Sequence, residues 1–361
     1  MRRLLGLLFL LQGSFISIAQ RDNLDYYVNQ GLANSPLLKD YQSQLQMISL
    51  DSQLLMAGLK PQVNGISNNS YAPIIRGWGY DEVISNGQQI SGLVQVTKSF
   101  FTNKNTALQI AGLQLQGLLS GNTVKISEKD LRKTIIDQYI IAFGEQLQLD
   151  FNYHINGLLK REDSLLKKLT QDNVFKQSEY LAFVVTLQQQ LLNTSQLEIQ
   201  YHFDLAGLNY LAGILDTAVI ALKDPQLSTE SFGDYTQSVF YKQFVLDSLK
   251  LLNDRSAIEL SYRPKVSVFA DAGYNSSLTY KPYKNFGASV GINLSIPIYD
   301  GHQKKLQLAK IDILERSRLV KRDYFFSQRN QQVLQLMQQL NATDQLIGQI
   351  NKQIRYTETL I

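Results

Sequence analysis

Apolar and polar residues alternate strictly along several stretches of the chain. From Phe286 onward, one side of the expected strand carries only Phe286, Ala288, Val290, Ile292, Leu294 and Ile296, and its other side is small or polar. The same period of two occurs in Val266–Tyr274 and Ile90–Val96 and, more weakly, in Gln62–Tyr71. The pattern predicts four β-strands. It fits a water-soluble sheet with one wet face, and it also fits tilted membrane strands of about 9–11 residues.

Long stretches without proline indicate long helices. No proline occurs from Asn103 to Lys168 or from His302 to Ile361, and about sixty helical residues make a rod of about 90 Å. A second helix is expected over Gln177–Leu215, after a turn at 170–173. Near the chain end, apolar residues recur with a seven-residue period that predicts a coiled-coil seam: Val333, Leu336, Leu340, Ile347, Ile350 and Ile354.

An internal repeat organises these elements. Lys60-Pro61-Gln62-Val63 and the segment Val94–Phe101 recur about 200 positions later as Arg263-Pro264-Lys265-Val266 and Ile292–Tyr299. Each half therefore predicts a helix, a strand, a loop, a strand and a long helix. The expected organisation is a signal peptide at 1–19, a first repeat at 20–215, a linker at 216–240 and a second repeat at 241–361 that lacks its return helix. That comparison of repeats predicts either a fragment or the product of a truncated gene.

The N-terminus has the three parts of a secretory signal. Arg2 and Arg3 precede an apolar run, and small residues at Ser17 and Ala19 predict cleavage before Gln20. A membrane anchor is the alternative, but the run is shorter than the about 20 residues of a spanning helix. No later segment reaches that length either. An exported chain of this kind would cross a membrane as a β-barrel.

Composition removes several classes of function. An apolar share of 44% excludes a disordered chain, and the absence of cysteine excludes disulfides, thiolate metal sites and lipoprotein anchoring. Lysine and arginine number 35 against 31 acidic residues, so a basic patch for nucleic acid is not expected. The three histidines, His154, His202 and His302, have no metal-ligand spacing. The sequence predicts no enzyme, no metal and no cofactor.

Together these features resemble the TolC family of outer-membrane channel proteins. The resemblance covers the signal, the duplicated hairpins, the basic-Pro-x-Val start of each half's first strand, and the Ser295–Gly301 exit from the last strand. In that exit Pro297 would end the sheet ladder, Asp300 would cap the next helix and Gly301 would relieve the bend. The segment Leu169–Glu179 is similar to the family's helical-hairpin tip, with Asn173 at a glycine position.

The resemblance implies a fold and a set of partners. The fold class is an α+β membrane protein: a long α-helical coiled-coil barrel continuous with a trimeric transmembrane β-barrel of four strands per subunit, with an internal two-fold repeat. The homotrimer would lie in the cell outer membrane with its helices projecting into the periplasm. There it would dock a periplasmic adaptor and an inner-membrane transporter, and act as a passive exit duct for efflux or secretion.

Site residues follow from the same resemblance. Lipid-facing candidates are Val94, Val96, Ile292 and Leu294, whereas Gln95, Asn293 and Ser295 would face water. The expected adaptor contact at the tip consists of Asp172, Asn173, Val174, Lys176, Ser178 and Glu179. A plain solvent-exposed turn is the alternative for this tip, because turns are polar whether or not they bind. Glu162, Asp163 and Asp172 would add acidic groups to a constriction.

Two other functions fit part of the pattern. A periplasmic coiled-coil scaffold or adaptor without a pore would also have long helices and a small β region. An exported binding protein with a sheet and helices is the other alternative. Membrane insertion distinguishes a channel from both, because only a channel requires detergent for its extraction.

Overall fold

The computed structural model describes residues 23–79, 88–100, 103–216, 218–227, 235–278 and 281–360. The signal peptide predicted at 1–19 lies outside them. The elements in chain order are α1 (Leu24–Asn34), α2 (Pro36–Gly58), β1 (Gln62–Ile66), β2 (Asn69–Tyr71), β3 (Gln88–Phe100), α3 (Asn103–Gln171), α4 (Gln177–Ala212), α5 (Val239–Ser261), β4 (Lys265–Ser276), β5 (Phe286–Ser295) and α6 (Gln303–Leu360).

The strands form one antiparallel sheet in the order β1-β3-β4-β5, with β2 pairing with β3 beside β1. The central pairing is long and regular, since β3 faces β4 from Ile90 opposite Ser276 to Phe100 opposite Val266. The four predicted strands are therefore present, and they come from both halves of the sequence. The repeat itself remains a prediction.

The predicted strand Gln62–Tyr71 is interrupted at residues 67 and 68. There the Ser91 hydroxyl of β3 accepts the backbone N–H of Asn68 at 3.1 Å and donates to the Asn68 carbonyl at 2.9 Å. The Ser67 hydroxyl donates to the Ser91 carbonyl at 2.9 Å. Serine and asparagine side chains compete with sheet ladders in this way. Sequence alternation does not reveal such a break, because β1 and β2 keep the same register on either side of it.

A close approach of two strands requires glycine at position 273. The residue has φ +153°, and a Cβ atom there would lie 2.2 Å from the Gly92 carbonyl oxygen and 2.9 Å from Leu93 Cα. Both obstacles are backbone atoms, so they cannot move aside as a flexible side chain would. Gly273 thus allows β4 to lie against β3 in the observed register.

The long helices expected from the sequence are confirmed. α3 has 69 residues and α6 has 58. α4 ends at Ala212, three residues before the predicted Leu215, because Gly213 adopts a left-handed conformation with φ 65° and its N–H bonds back to the helix. Within the described ranges, no helix has an apolar stretch long enough to cross a membrane.

The chain divides into two compact units: Met1–Gln44 with Gly121–Val239, and Leu45–Ser120 with Phe240–Ile361. The first is named here the helical unit and the second the sheet unit. These units reflect packing, whereas the boundaries at 20–215, 216–240 and 241–361 come from duplication. The domain boundaries therefore remain a prediction.

The core of the helical unit lies where α1 packs with α3 and α4. Tyr27 and Val28 of α1 are buried against Ile135 and Tyr139 of α3 and Leu208 of α4. The rings of Tyr27 and Tyr139 meet edge to face with centroids 5.8 Å apart. Burying such side chains stabilises the unit by about 1.5–3 kcal/mol each.

Residues 218–227, which we call the strap, pack on this core without regular structure. The Tyr139 hydroxyl donates to the Lys223 carbonyl at 2.7 Å, and the Tyr201 hydroxyl donates to the Ile220 carbonyl at 2.8 Å. The Gln146 amide donates to the Leu222 carbonyl at 3.1 Å and accepts its N–H at 2.6 Å. Part of the predicted linker is thus held against the helices through its backbone.

In the sheet unit, α5 and α6 meet through an aromatic cluster and an arginine. The rings of Phe240 and Phe244 lie 6.0 and 5.7 Å from Phe325. Arg318 donates to Glu315 at 2.6 and 2.8 Å and to the Phe244 carbonyl at 3.1 Å. These contacts hold α5 against the first half of α6.

The predicted coiled-coil seam has no partner in the described part of the chain. Its residues keep large exposed fractions, from 45% at Ile350 to 63% at Leu336 and Leu340. Only Val333 is half-buried. The period of seven is present in the sequence, but in the described part of this chain it marks an exposed surface and not a packed core.

The buried hydroxyl of Tyr201 is expected to make the folded protein less stable at alkaline pH. Its side chain is 4% exposed, and burial, with a smaller effect of Asp150, raises the pKa of Tyr201 to about 12. A tyrosine in the unfolded chain ionises near pH 10. The contribution of Tyr201 to the free energy of unfolding is therefore fully present below about pH 10 and is lost between about pH 10 and 12. We expect a loss of about 2 kcal/mol, measured as the free energy of unfolding against pH.

Tyr201→Phe should remove most of this pH dependence while lowering stability at neutral pH. Tyr210 lies on the same helix and is 84% exposed, so Tyr210→Phe is the matched control and should retain the alkaline loss. An unchanged alkaline loss in Tyr201→Phe would show that another group is responsible.

Candidate functional site

One face of the sheet is apolar and exposed. Val94 lies opposite Ala272, Val96 opposite Ala270, Ile292 opposite Val268 and Leu294 opposite Val266. Side chains that lie opposite each other across paired strands share a face. The four lipid-facing candidates are therefore on the same face. Exposure reaches 75% at Ile292 and 85% at Val290, so this face has no covering layer within the described chain.

The opposite face is mostly polar, although it also carries the apolar side chains of Leu93 and Phe269. Gln95 lies opposite Asp271, which lies opposite Ser289. The Ser289 hydroxyl donates to the Asp271 carboxylate at 2.9 Å. Asn293 lies opposite Ser267, and Ser295 lies opposite Lys265. The three residues predicted to face water thus lie together on the face opposite the apolar one.

Aromatic side chains gather at the loop end of the sheet. Tyr71, Trp78, Tyr283 and Phe286 are each more than 70% exposed, and the rings of Tyr274 and Phe286 lie 5.3 Å apart. Tyr80 and Tyr280, which the loop sequences also contain, lie outside the described residues. Amphipathic rings at one edge of an apolar band are typical of a membrane–water interface.

The other end of the sheet turns into α6 as the sequence predicted. β5 stops at Ser295, before Pro297, and the Asp300 carboxylate accepts the Lys304 N–H at 2.8 Å. This backbone hydrogen bond is the main reason that the pKa of Asp300 is lowered. Gly301 has φ 64°, which confirms its role in the bend. His302 also has a positive φ, of 67°, so α6 begins at Gln303 and not at His302.

Backbone hydrogen bonds hold the turn at the tip between α3 and α4. Asn173 has φ 57°, and its N–H donates to the Thr170 carbonyl at 3.1 Å. The Val174 N–H donates to the Leu169 carbonyl at 2.9 Å. These two bonds form a Schellman motif with asparagine in the position that glycine usually takes. Asn173, which stands at a glycine position of the similar family tip, thus adopts the left-handed geometry that glycine would adopt there.

The six tip candidates form one continuous surface. Asp172, Asn173 and Val174 lie in the turn, and Lys176, Ser178 and Glu179 lie at the start of α4. All six side chains are exposed, and Lys176 pairs with Glu179 at 3.8 Å. Val174 is 72% exposed, which is unusual for a valine in a polar turn. The structure brings these residues together, and their contact with an adaptor remains a prediction.

Of the three acidic candidates for a constriction, Asp163 has a defined partner. Its carboxylate accepts the Tyr180 hydroxyl at 3.2 Å, which links α3 to α4 near the tip. Glu162 and Asp172 are exposed. Their role in a constriction remains a prediction.

The histidines are all exposed and lie on or beside different helices. In the described ranges, no three histidine, aspartate or glutamate side chains are grouped closely enough to hold a metal ion.

Sequence reasoning missed two features. Lys98 lies on the apolar face of β3, opposite Val268; continuing the alternation past Val96 would have located it. The side chains that hold the strap could not have been found in this way. Tyr139, Gln146 and Tyr201 bind backbone groups, and no sequence pattern marks such partners.

Comparison with known proteins gives a match in structure. No protein-family model and no curated protein sequence matches the chain. The outer membrane protein VceC from Vibrio cholerae has a TM-score of 0.65 at 11% identity, over 84% of this chain and 75% of its own. The Campylobacter jejuni outer membrane channel CmeC gives 0.65 at 11% identity, over 84% and 68%. The open Neisseria gonorrhoeae outer membrane channel MtrE gives 0.60 at 10% identity, over 83% and 69%.

These likenesses establish the fold, which is that of TolC-like outer-membrane channels. The resemblance stated from the sequence is thus confirmed at the level of the fold. The matched channels are not enzymes, in agreement with the prediction of a non-enzymatic chain.

The left-handed conformation of Asn173 can be tested by substitution. Asn173→Gly should keep or slightly raise the stability of the hairpin, because glycine adopts this conformation without a Cβ clash. Asn173→Val should lower it by about 1–2 kcal/mol. The measurements are the thermal midpoint and the rate of proteolytic cleavage at the tip. Ser178→Val, at the exposed second residue of α4, is the control and should change little. Equal stability of the glycine and valine variants would contradict the assignment.

Proposed function

We propose that this chain is a subunit of an outer-membrane channel that serves as a passive exit duct of an efflux or secretion system. The observation that carries the proposal is the sheet with one exposed apolar face and one polar face. A face lined by Val94, Val96, Val290, Ile292 and Leu294 is unfavourable in water, whereas hydrocarbon accommodates it.

The edges of the sheet support closure with other copies. Among the described residues, β5 pairs only with β4, and β1 pairs only with β3. Unpaired backbone groups at a sheet edge cost several kcal/mol each in lipid, so a sheet that spans a membrane must close on itself. Four strands are too few for a closed barrel, because the smallest membrane barrels have about eight. We infer a homotrimer in which each subunit supplies four strands.

In this assembly the polar face would line the pore. Gln95, Asp271, Ser289 and Asn293 would contact water, and the aromatic residues at the loop end would mark the outer interface. β3 and β5 both end at the opposite end of the sheet, and the long helices follow them in sequence, so the helices would project into the periplasm. The matched outer membrane channels support an outer-membrane location by their common fold.

The tip would contact a periplasmic adaptor and, through it, an inner-membrane transporter. Its six residues, Asp172, Asn173, Val174, Lys176, Ser178 and Glu179, lie together, and they combine an exposed apolar side chain with charges of both signs. An exposed apolar centre within a polar rim is a common composition for a contact surface.

Arginine scanning of one strand tests membrane insertion. Val290 lies in the middle of β5 on the apolar face, and Ser289 is its neighbour on the polar face. Val290→Arg should cost about 2–4 kcal/mol at midplane depth, and Leu294→Arg, near the strand end, should cost less. Ser289→Arg is the matched control and should insert normally. Insertion is measured by co-flotation with vesicles, and pore formation by conductance across a planar bilayer.

A wild-type chain that is washed from membranes by salt would contradict the channel and favour a periplasmic scaffold. Equal tolerance of Val290→Arg and Ser289→Arg would contradict the lipid-facing assignment of this strand.

The adaptor contact is tested by photo-crosslinking in cells that make this protein. A crosslinker at position 174 should capture a periplasmic adaptor, because Val174 lies at the centre of the tip. The control position is 199, where Ile199 is equally exposed on α4 but lies away from the tip. Equal capture from both positions, or capture from neither, would favour a plain turn.

A further inference from the structure

The apolar face of the sheet carries a single basic side chain within the described residues. Lys98 lies on β3 between Val96 and Phe100, and its neighbours across the strands are Val268 and, beyond it, Ile292. Lys98 is exposed and forms no ion pair with another described residue. A lone ammonium group among aliphatic side chains needs an anion from outside the chain if this face is removed from water.

A groove lies beside the lysine. It has a volume of about 550 Å³ and is lined by Lys98 together with Pro61, Val268 and Ile292. Its other lining residues are Val96, Ala270 and Val290 of the apolar face, with Phe269 and Gly291 from the alternate positions of the same strands. The site therefore has one positive charge at an otherwise apolar depression, which suits an amphiphile with an anionic head and a hydrocarbon chain.

Lys98 lies near the end of the sheet from which the long helices continue. In a membrane, its charge would therefore lie close to the membrane–water interface on that side. β3 ends at Phe100, two residues beyond Lys98, and two residues of strand span about 7 Å. A lysine stem can lie along apolar surface over such a distance and bring its ammonium to the edge. Arg263 precedes β4 and Lys265 begins it at the same end of the sheet; both are exposed, and Lys265 belongs to the polar face.

The nearby acidic residue is already engaged. Asp300 follows β5 at this end, but its carboxylate accepts the Lys304 N–H at 2.8 Å and the Tyr262 hydroxyl. It therefore serves the start of α6 and leaves the basic groups in excess. In a membrane, the anion available at this depth is the phosphate of a lipid headgroup.

We propose that Lys98 and its groove bind an anionic glycerophospholipid of the leaflet on the helix side. The lipid phosphate pairs with the Lys98 ammonium, and one acyl chain lies in the groove toward Val96, Ala270 and Val290, the next row of the apolar face toward the middle of the sheet. This inference rests on the proposed insertion of the sheet into a membrane, and it adds a specific lipid partner to it.

The test uses the full chain reconstituted in phosphatidylcholine vesicles that contain either spin-labelled phosphatidylglycerol or spin-labelled phosphatidylcholine. Electron paramagnetic resonance gives the immobilised fraction of each label. The wild type should favour phosphatidylglycerol about fivefold, the factor expected for one lysine near an anionic headgroup. Lys98→Gln should bring the preference close to one, and Lys98→Arg should retain it.

Lys310→Gln is the matched control, because Lys310 is an exposed lysine of α6; it should leave the preference unchanged. Excess soluble glycerol phosphate should not displace the labelled lipid, since the groove binds the acyl chain as well. Displacement would overturn the two-part site and indicate a free phosphate site.

The two levels of the proposal fail in different ways. A chain that floats with neither kind of vesicle would overturn the channel proposal and this inference with it. A chain that inserts and conducts, but immobilises both labels equally or keeps its preference in Lys98→Gln, would overturn the lipid site alone.

Discussion

The register of the β3–β4 pair is the constraint on which the two faces of the sheet depend. A slip of one residue would move every side chain of a strand to the other face. Such a slip would place Asp271 among valines. Gly273 permits the observed register at one point, because a Cβ atom at this position would lie 2.2 Å from the Gly92 carbonyl oxygen. The separation of apolar and polar surfaces therefore depends on a backbone contact as well as on the alternation itself.

Left-handed residues set the ends of the helices. Asn173 closes α3, Gly213 closes α4, and Gly301 with His302 precedes α6. In the first two cases the reversed backbone satisfies the last carbonyls of the helix. At Gly301 and His302 it redirects the chain from strand to helix while Asp300 supplies the acceptor for the new N-terminus. The ends of the long helices are thus set by a few backbone conformations, and at α6 by the Asp300 carboxylate as well.

Much of the fold and part of the site could be predicted from the sequence. Alternation located the strands and the shared face of Val94, Val96, Ile292 and Leu294, and the absence of proline located α3 and α6. The alternation did not predict the break at Ser67 and Asn68, because this break depends on the Ser91 hydroxyl of another strand. The apolar period near the chain end predicted packing, but it did not indicate that the described chain leaves these residues exposed. Periodicity reports which side of an element is apolar, and it does not report what covers that side.

The strap has a consequence for how this sequence can change over time. Its hydrogen bonds to Tyr139, Gln146 and Tyr201 are made by its main chain. Nearly any residue offers the same carbonyl group, so most strap positions should tolerate substitution. Leu222 is the exception, because its side chain is buried in the core. Selection should act instead on the three side chains that bind the strap, which lie on α3 and α4. Homologues are expected to retain these three side chains even where the strap sequence can no longer be aligned.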